Sequence, residues 1–316
     1  MKSFAFVFPG QGSQSVGMLD AWGNHPVVSQ TLAEASDALD QDIGQLIKEG
    51  PKEALALTTN TQPVMLVAGV AAYRVWMAET GVAPDVMAGH SLGEYSALVA
   101  AGVLSLSQAA PLVRFRAQAM QDAVPVGQGA MAAILGMDAA RVVDGCAEAV
   151  RSFGAGTPEI VEAVNFNDPT QTVIAGSKAA VDKACEILKA HGAKRALPLP
   201  VSAPFHSSLM KPAAERLKAQ LAGLPLAAPQ IPVINNIDVS IENSAEGIRD
   251  ALYRQAFGPV RWVECVQAIG LLGVTTLVEC GPGKVLAGLT KRIDPALSGM
   301  PLLDAASLAA VKEVLA

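Results

Sequence analysis

The chain has 316 residues, of which 51% are hydrophobic and only 16% are charged. This balance excludes a disordered chain and is typical of folds in which strands buried on both faces alternate with helices. The formal net charge of -6 argues against a nucleic-acid partner, because nucleic acids bind basic surfaces.

The apolar segments are too short for membrane insertion. The longest run, residues 63–73, ends at Arg74, whereas a bilayer span needs about 18 apolar residues. The apolar start of the chain is too short for a signal peptide, and no cleavage site follows it. We therefore expect a cytoplasmic protein with no membrane partner. The four cysteines lie far apart without C-x-x-C spacing, so neither a zinc site nor a disulfide framework is predicted.

Strand-like and helical segments alternate in the first part of the chain. Residues 4–8 and 86–88 predict strands, and residues 62–79 predict a helix between them. Another helix is predicted after Gly93, with Leu98, Val99, Gly102 and Val103 on one face. This order predicts a parallel sheet of the α/β class. Since the chain is longer than a typical single domain, we expect either an insertion or a second domain.

The pattern changes near residue 127. Strands are predicted at residues 130–135, 160–165, 172–175 and 193–199, and helices at residues 138–153 and 179–191. The resulting order, βαββαβ, predicts a ferredoxin-like small subdomain. A helix at residues 213–221, a strand at residues 232–236 and a final pair of helices follow it. We therefore predict a large α/β domain, 1–126 and 202–316, interrupted by a small subdomain, 127–201, with a cleft between them.

The segment Gly89-His90-Ser91-Leu92-Gly93 fits the G-x-S-x-G pattern of a nucleophile elbow. A predicted strand precedes it and a predicted helix follows it, as that turn requires. The glycines permit a sharp turn that exposes the serine oxygen, and the helix N-terminus offers N–H groups to an oxyanion. We predict an α/β-hydrolase-like large domain with Ser91 as nucleophile. The alternative is a glycine-flanked serine that caps a helix.

The base that activates Ser91 is sought among four histidines. His90 is adjacent to the serine, and neighbouring side chains diverge at a sharp turn, so packing beneath the elbow is the better interpretation. His25 is predicted in a surface loop and His191 at a helix C-terminus. His206 remains, since it lies downstream of the serine in the order nucleophile then base. The alternative for His206 is a surface histidine beside a helix.

Two glycine-rich segments lack the residues of phosphate-binding motifs. Residues 10–15 have a serine in place of the third glycine of G-x-G-x-x-G, and residues 281–285 lack the upstream glycine and the Ser or Thr of a P-loop. Neither a dinucleotide nor a nucleoside triphosphate cofactor is predicted. The first segment follows a strand, so its backbone amides are candidates for an oxyanion hole beside Ser91.

Six motifs carry a resemblance to the malonyl-CoA:acyl carrier protein transacylase family. They are residues 8–14 (FPGQGSQ), 89–94 (GHSLGE), 114–116 (RFR), 165–167 (NFN), 203–207 (APFHS) and 279–286 (ECGPGKVL). They occur in the order seen in that family, and the resemblance extends from about residue 4 to residue 293. Because six separate motifs agree, the chain is identified as a member of this family.

The resemblance implies a role for each residue of a serine acyltransferase site. It implies that Ser91 carries the acyl group and that His206 is its base. The backbone carbonyl of Gln255 is expected to orient the histidine in place of an acid. The backbone N–H groups of Gln11 and Leu92 are expected to form the oxyanion hole.

The resemblance also implies the substrates. Arg116, in a helix predicted at residues 109–121, is expected to bind the free carboxylate of malonyl-CoA, although a lone arginine is by default solvated or structural. The expected acceptor is the phosphopantetheine thiol of holo acyl carrier protein, reached by ping-pong transfer through a malonyl-serine intermediate. Phe205, directly before His206, matches the phenylalanine that related domains selecting malonyl over methylmalonyl often carry. No cofactor and no metal ion are implied. The protein is expected to be a monomer, and a free-standing chain favours fatty acid over polyketide synthesis.

Two other functions share some of these features. A serine esterase or thioesterase uses the same elbow but has no need of Arg116 or the Gln11 loop. A noncatalytic scaffold that binds a carrier protein has no reason to combine Ser91 and His206 with that arginine. Carrier proteins of this type are acidic, so a local basic cluster is expected to bind them, with solvated surface as the alternative. The candidates are Lys284, Lys291 and Arg292 on the large domain and Lys189, Lys194 and Arg195 on the small one.

Overall fold

The computed structural model describes residues 2–201 and 203–316. The chain divides into two compact units. Unit 1 comprises Met1–Ala117, Gly223–Ile248 and Cys265–Ala316, and unit 2 comprises Gln118–Ala222 and Arg249–Glu264. The predicted domain segments 1–126, 127–201 and 202–316 stay a prediction. Met1 and Ser202, with which two of those segments begin, lie outside the described residues.

Helices and strands alternate along most of the chain. The helices are α1 (Pro26–Leu39), α2 (Ile43–Glu49), α3 (Lys52–Ala56), α4 (Thr58–Thr80), α5 (Gly93–Ala100), α6 (Leu106–Asp122), α7 (Ala139–Ser152), α8 (Lys178–Ala190), α9 (Lys211–Ala222), α10 (Ala245–Gln255), α11 (Trp262–Leu271), α12 (Val285–Ile293) and α13 (Ala305–Leu315). The strands are β1 (Phe4–Phe8), β2 (Val86–Gly89), β3 (Gly129–Leu135), β4 (Val161–Asp168), β5 (Gln171–Ser177), β6 (Arg195–Pro198), β7 (Val233–Ile234), β8 (Thr276–Cys280) and β9 (Ser298–Leu302).

Unit 1 is built on a parallel sheet with the strand order β7-β2-β1-β8-β9. The central strand β1 has the sequence FAFVF, and all of its side chains are buried. A continuous apolar run of this kind suits a parallel strand, because helices cover both faces of such a sheet. Phe6 packs edge-on against Trp76 of α4, with ring centroids 5.7 Å apart. The predicted α/β class with a parallel sheet is confirmed.

The strand register places the loops of the candidate site at one edge of this sheet. Phe8 at the end of β1 pairs with Gly89 at the end of β2. The loop that carries Gln11 and the turn that carries Ser91 therefore leave the sheet side by side. Strand β8 lies on the other side of β1, and its end at Cys280 leads to the same edge. In open parallel sheets, ligands bind outside the carboxyl ends of the strands.

Unit 2 contains an antiparallel sheet with the strand order β4-β5-β3-β6. Counted within this unit, the order is 2-3-1-4, which is the ferredoxin-like arrangement that the βαββαβ sequence pattern predicts. Helices α7 and α8 cover one face, and the core between helices and sheet includes Ile134, Val142, Ile174, Val181 and Leu188. The predicted two-subdomain fold class, with a ferredoxin-like small subdomain, is confirmed.

Some elements differ from the sequence prediction. The strand predicted at residues 232–236 is only Val233–Ile234, because the asparagines that follow bond through their side chains. The helix after Gly93 ends at Ala100, and the chain turns through Gly102 with φ 77°. Strands β8 and β9 were not predicted individually. Strand β8 contains a glutamate, which interrupts its apolar pattern.

Candidate active site

Ser91 lies in a tight turn between strand β2 and helix α5. Its φ of 53° is in the left-handed region, which is rare for residues other than glycine. The flanking glycines are required by close approach. A Cβ on Gly89 would lie 1.9 Å from the Gly93 carbonyl carbon, and a Cβ on Gly93 would lie 2.0 Å from the Phe8 oxygen. The nucleophile-elbow geometry predicted from the sequence is therefore present.

The Arg116 side chain reaches the hydroxyl of Ser91. Its Nη2 donates to Ser91 Oγ at 3.3 Å, and its Nη1 donates to Gln62 Oε1 at 2.8 Å. Arg116 is only 2% exposed, and burial lowers its pKa. The ring of Tyr95 lies beneath the guanidinium at 5.4 Å, and burial raises the pKa of Tyr95 to about 12, so that phenol is neutral at ordinary pH. A buried cation is thus held directly beside the candidate nucleophile.

Gln62 connects this arginine to the loop after β1. Its Nε2 donates to Gln11 Oε1 at 3.3 Å, while Thr58 Oγ1 donates to the same oxygen at 3.1 Å. Gln62 is fully buried in helix α4. It belongs to none of the sequence motifs and was not predicted as a site residue. The only signal in the sequence was that Gln62 is a polar residue at the start of the longest apolar run. Its hydrogen-bond partners Gln11 and Arg116 lie far from it in the chain.

The two candidate oxyanion donors follow adjacent strands of unit 1. Gln11 is exposed in the loop after β1, and Leu92 is 1% exposed at the N-terminus of α5. The turn is closed by the N–H groups of Gly93 and Glu94, which donate to the carbonyls of His90 and Ser91. The oxyanion role of Gln11 and Leu92 stays a prediction.

His206 and Gln255 form a hydrogen-bonded pair in unit 2. His206 Nδ1 donates to the Gln255 backbone oxygen at 2.8 Å, since a carbonyl only accepts. In the neutral imidazole, Nε2 then carries the lone pair that accepts a proton. His206 is 4% exposed with φ 66°, and Gln255 is fully buried. The structure therefore pairs the two residues that the resemblance implies, with a carbonyl where serine hydrolases use an acid.

The other three histidines have different surroundings. His90 is half-buried within the turn, and its backbone N–H donates to Phe8 O at 2.9 Å. His25 was predicted in a surface loop. It is instead the N-cap of helix α1, and its Nδ1 accepts from Val27 N. His191 follows helix α8 as its C-terminal cap, as predicted.

Membrane spans and metal clusters are both absent from residues 2–201 and 203–316. No helix there has both the length and the hydropathy to cross a membrane. No group of three or more His, Cys, Asp or Glu side chains in the same ranges is arranged to hold a metal ion. The four cysteines are free thiols.

Comparisons with known proteins agree with these features. Residues 5–292 match the family model described as acyl transferase domain. The chain is 52% identical to malonyl CoA-acyl carrier protein transacylase of Escherichia coli K12, over 99% of this chain and 100% of that protein. Among solved structures it is similar to an acyl-carrier-protein S-malonyltransferase from Burkholderia pseudomallei 1710b, with 63% identity, a TM-score of 0.95 and coverage of 99% and 100%. It is also similar, at 53% identity and a TM-score of 0.95 over 99% and 100% of the two chains, to a malonyl-transacylase solved in complex with its type II PKS acyl-carrier protein.

Proposed function

Since the chain belongs to the acyl transferase domain family and, within it, to the malonyl CoA-acyl carrier protein transacylases, we propose that it moves malonyl groups between thiols. It transfers the malonyl group of malonyl-CoA to the phosphopantetheine thiol of holo acyl carrier protein and supplies fatty acid biosynthesis. The observation that carries this proposal is the buried Arg116 guanidinium, 3.3 Å from Ser91 Oγ. A guanidinium binds a carboxylate through two parallel hydrogen bonds, and a malonyl group carries a free carboxylate.

The first half-reaction makes an acyl-enzyme. His206 Nε2 accepts the Ser91 proton, and Oγ forms a bond to the malonyl carbonyl carbon. The N–H groups of Gln11 and Leu92 stabilise the oxyanion that develops. The carbon–sulfur bond then breaks, and coenzyme A leaves as a thiol with the proton that the histidine held. The carbonyl of Gln255 keeps the imidazole in the required tautomer.

The second half-reaction reverses these steps with a different thiol. His206 removes the proton of the phosphopantetheine thiol, the sulfur attacks the ester carbon, and the bond to Ser91 Oγ breaks. The proton returns to the serine. Thioester and oxyester are close in energy, so positioning and oxyanion stabilisation suffice for catalysis.

Partner and cellular context are parts of the same proposal. The relative solved with its carrier protein supports docking of an acyl carrier protein on this chain. The monomeric state, the cytoplasmic location and the absence of a nucleic-acid partner stay predictions.

The proposal is tested by comparing two products from malonyl-CoA. Purified protein with holo acyl carrier protein is expected to give malonyl-carrier and little free malonate. Release of malonate at the same rate with and without carrier would favour the esterase alternative. Carrier binding without any acylation of Ser91 would favour the scaffold alternative.

A further inference from the structure

One buried asparagine of unit 1 binds the turn that carries Ser91. The side-chain oxygen of Asn236 accepts from Ser91 N at 2.7 Å, and its Nδ2 donates to Gly89 O at 2.7 Å. Its backbone N–H donates to Glu94 Oε2 at 2.9 Å. Asn236 is fully buried. A single residue therefore bonds the end of β2, the turn itself and the first turn of α5.

The position of Asn236 follows from the sheet register. Strand β7 pairs in parallel with β2, with Met87 opposite Val233 and Ala88 opposite Ile234. Two residues beyond that pairing, at Asn236, a side-chain amide bonds the neighbouring strand in place of the backbone. An amide offers a donor and an acceptor side by side, as a peptide group does. The Asn236 side chain therefore continues the hydrogen bonding between β7 and β2 at the point where β2 ends and the backbone turns through Ser91.

The turn needs these hydrogen bonds because its backbone is strained at Ser91. A left-handed backbone costs a residue with a Cβ of order 1 kcal/mol or more, and it persists only where the surrounding structure over-determines it. The two hydrogen bonds from the Asn236 side chain to the turn are short, and their partners are the N–H of the strained residue itself and the carbonyl of Gly89, two residues before it. The bond to Ser91 N fixes the direction of the His90–Ser91 peptide. The next peptide, which contains Leu92 N, is held by Glu94 N, which donates to Ser91 O at 3.1 Å.

We propose that Asn236 is a positioning residue for acyl transfer: its side-chain amide holds Ser91 Oγ and the Leu92 N–H group in the geometry for attack and oxyanion binding. This inference rests on the proposed function, since it assigns Ser91 as the nucleophile. Asn236 acts through the turn and not on the substrate. Its contribution is expected in the rate of acylation rather than in the binding of malonyl-CoA, because Arg116, which is expected to bind the malonyl carboxylate, is held by Gln62 of helix α4.

The adjacent residue provides a matched control. Asn235 is also buried, at 5% exposure, and its side chain also makes two hydrogen bonds, donating to Ser240 Oγ at 3.1 Å and accepting from Asp238 N at 2.8 Å. Those bonds hold the loop after β7 and do not reach the elbow. Asn235→Ala and Asn236→Ala therefore each remove side-chain hydrogen bonds of similar length from a buried asparagine.

The experiment is single-turnover acylation by malonyl-CoA, followed by rapid quenching and mass spectrometry of the Ser91 peptide. For Asn236→Ala we expect the maximal acylation rate to fall about 100-fold, as a displacement of about 1 Å at a reacting atom does. The half-saturating concentration of malonyl-CoA is expected to stay unchanged. Asn235→Ala is expected to keep the acylation rate of the unsubstituted protein.

The outcomes separate this inference from the proposed function. Absence of a Ser91 adduct in the unsubstituted protein would overturn the function itself. If that adduct forms, a folded Asn236→Ala variant with an unchanged rate would overturn the positioning role. Equal slowing of Asn235→Ala and Asn236→Ala would also overturn it, because general packing of the segment would then explain both.

Asn236→Asp keeps the test decisive if the alanine variant does not fold. A protonated carboxyl donates to Gly89 O and accepts from Ser91 N as the amide does, whereas an ionised carboxylate only accepts. The titratable groups that contact this position are Glu94 of α5 and Cys265 of α11, whose Sγ lies 4.0 Å from Nδ2. The acylation rate of Asn236→Asp relative to the unsubstituted protein is expected to rise as the pH falls. A ratio that does not change with pH would contradict the hydrogen-bond assignment.

Discussion

At the residue scale, Arg116 combines the burial and the geometry of an anion-binding side chain. Its guanidinium donates to the Gln62 amide and the Ser91 hydroxyl and lies over the Tyr95 ring. Burial lowers its pKa, and the nearby carboxylate of Glu94 opposes that shift. A malonyl carboxylate supplies an opposite charge and accepts two parallel hydrogen bonds, whereas an acetyl group accepts neither. Arg116 is therefore expected to determine acyl specificity.

Arg116→Ala is expected to lose malonyl transfer while acetyl transfer falls little or rises. Truncating one partner of a desolvated charge pair costs about 2 to 5 kcal/mol, which corresponds to roughly 30-fold to several thousandfold. Arg116→Lys is expected to restore only part of the loss, because an ammonium lacks the planar fork. The measurement is the ratio of kcat/KM for malonyl-CoA over acetyl-CoA. An unchanged ratio in a folded variant would mean that the carboxylate is bound elsewhere.

His206→Ala is expected to slow acylation of Ser91 by about 100-fold to 10,000-fold, the range that a positioned general base contributes. His90→Ala serves as its control, because His90 is fixed in the turn by its backbone N–H and is expected to affect packing rather than proton transfer. Single-turnover acylation and thermal unfolding, measured on both variants, separate the two effects. Equal loss of rate in a stable His90→Ala protein would contradict the assignment of the base.

The sequence predicted the residues of this site unevenly. Ser91 and His206 were predicted because a local motif and chain order mark them. Gln62 and Asn236 were not, because their importance lies in contacts across the chain: Asn236 is 145 residues from the Ser91 amide that it accepts from. A polar residue in an apolar context gives little signal until its partners are known.

At the element scale, helix α12 is capped by a side chain from strand β8. Glu279 is fully buried and accepts from Ala287 N at 2.8 Å, while the preceding Lys284 makes no side-chain cap. The loop between β8 and α12 in turn supports the Gln11 loop, since a Cβ on Gly283 would lie 3.0 Å from Ser13. The cap thus stabilises an element beside the candidate oxyanion loop.

Glu279→Gln is expected to remove a pH dependence of stability. Burial raises the pKa of Glu279 from 4.5 to about 7, so the folded protein binds this proton more tightly than the unfolded chain. The contribution of Glu279 is full below about pH 4.5 and is lost as the pH rises through 7. Between about pH 5 and pH 8 the stability of the variant is therefore expected to rise relative to the unsubstituted protein, by at most about 3 kcal/mol.

Denaturant unfolding at several pH values measures this difference, with Glu313→Gln on the exposed face of α13 as the control. A difference between Glu279→Gln and the unsubstituted protein that stays constant with pH would contradict the expectation.

The bounds of helices and strands were predicted correctly where the local sequence pattern alone determines them. Strand β1 was predicted with its observed bounds, because a continuous apolar run between polar turns has few alternatives. Strand β7 was predicted too long, since Asn235 and Asn236 satisfy neighbouring groups through their side chains rather than by strand pairing. Hydrogen bonds to distant parts of the chain determine where such a strand ends, and local strand propensity carries no information about those bonds.

At the scale of the whole molecule, this acidic chain is expected to bind a carrier protein that, by the resemblance, is also acidic. The chain has 23 basic and 29 acidic residues, so docking requires a local cluster. Lys284, which precedes helix α12, and Lys291 and Arg292 in its last turn are exposed, as is Val285 at its start. Lys189, Lys194 and Arg195 are exposed in unit 2 and remain further candidates.

Charge reversal at Lys284 and Lys291 together is expected to raise the KM for the carrier protein, by up to roughly fivefold for each charge, while the KM for malonyl-CoA stays unchanged. The effect is expected to shrink as salt is added. Reversal of the exposed Lys48 and Lys52 of α2 and α3 makes the same change in net charge and serves as the control. Equal effects of the two pairs, or equal effects on both substrates, would count against docking on α12.

The central claim is that one serine carries the malonyl group between the two thiols. The most direct test incubates the protein with malonyl-CoA, digests it and locates the acyl adduct by mass spectrometry. We expect a malonyl ester on the peptide that contains Ser91, its disappearance when holo acyl carrier protein is added, and its absence from a folded Ser91→Ala variant. A malonyl adduct on another residue, or malonyl transfer by Ser91→Ala at the rate of the unsubstituted protein, would contradict the account.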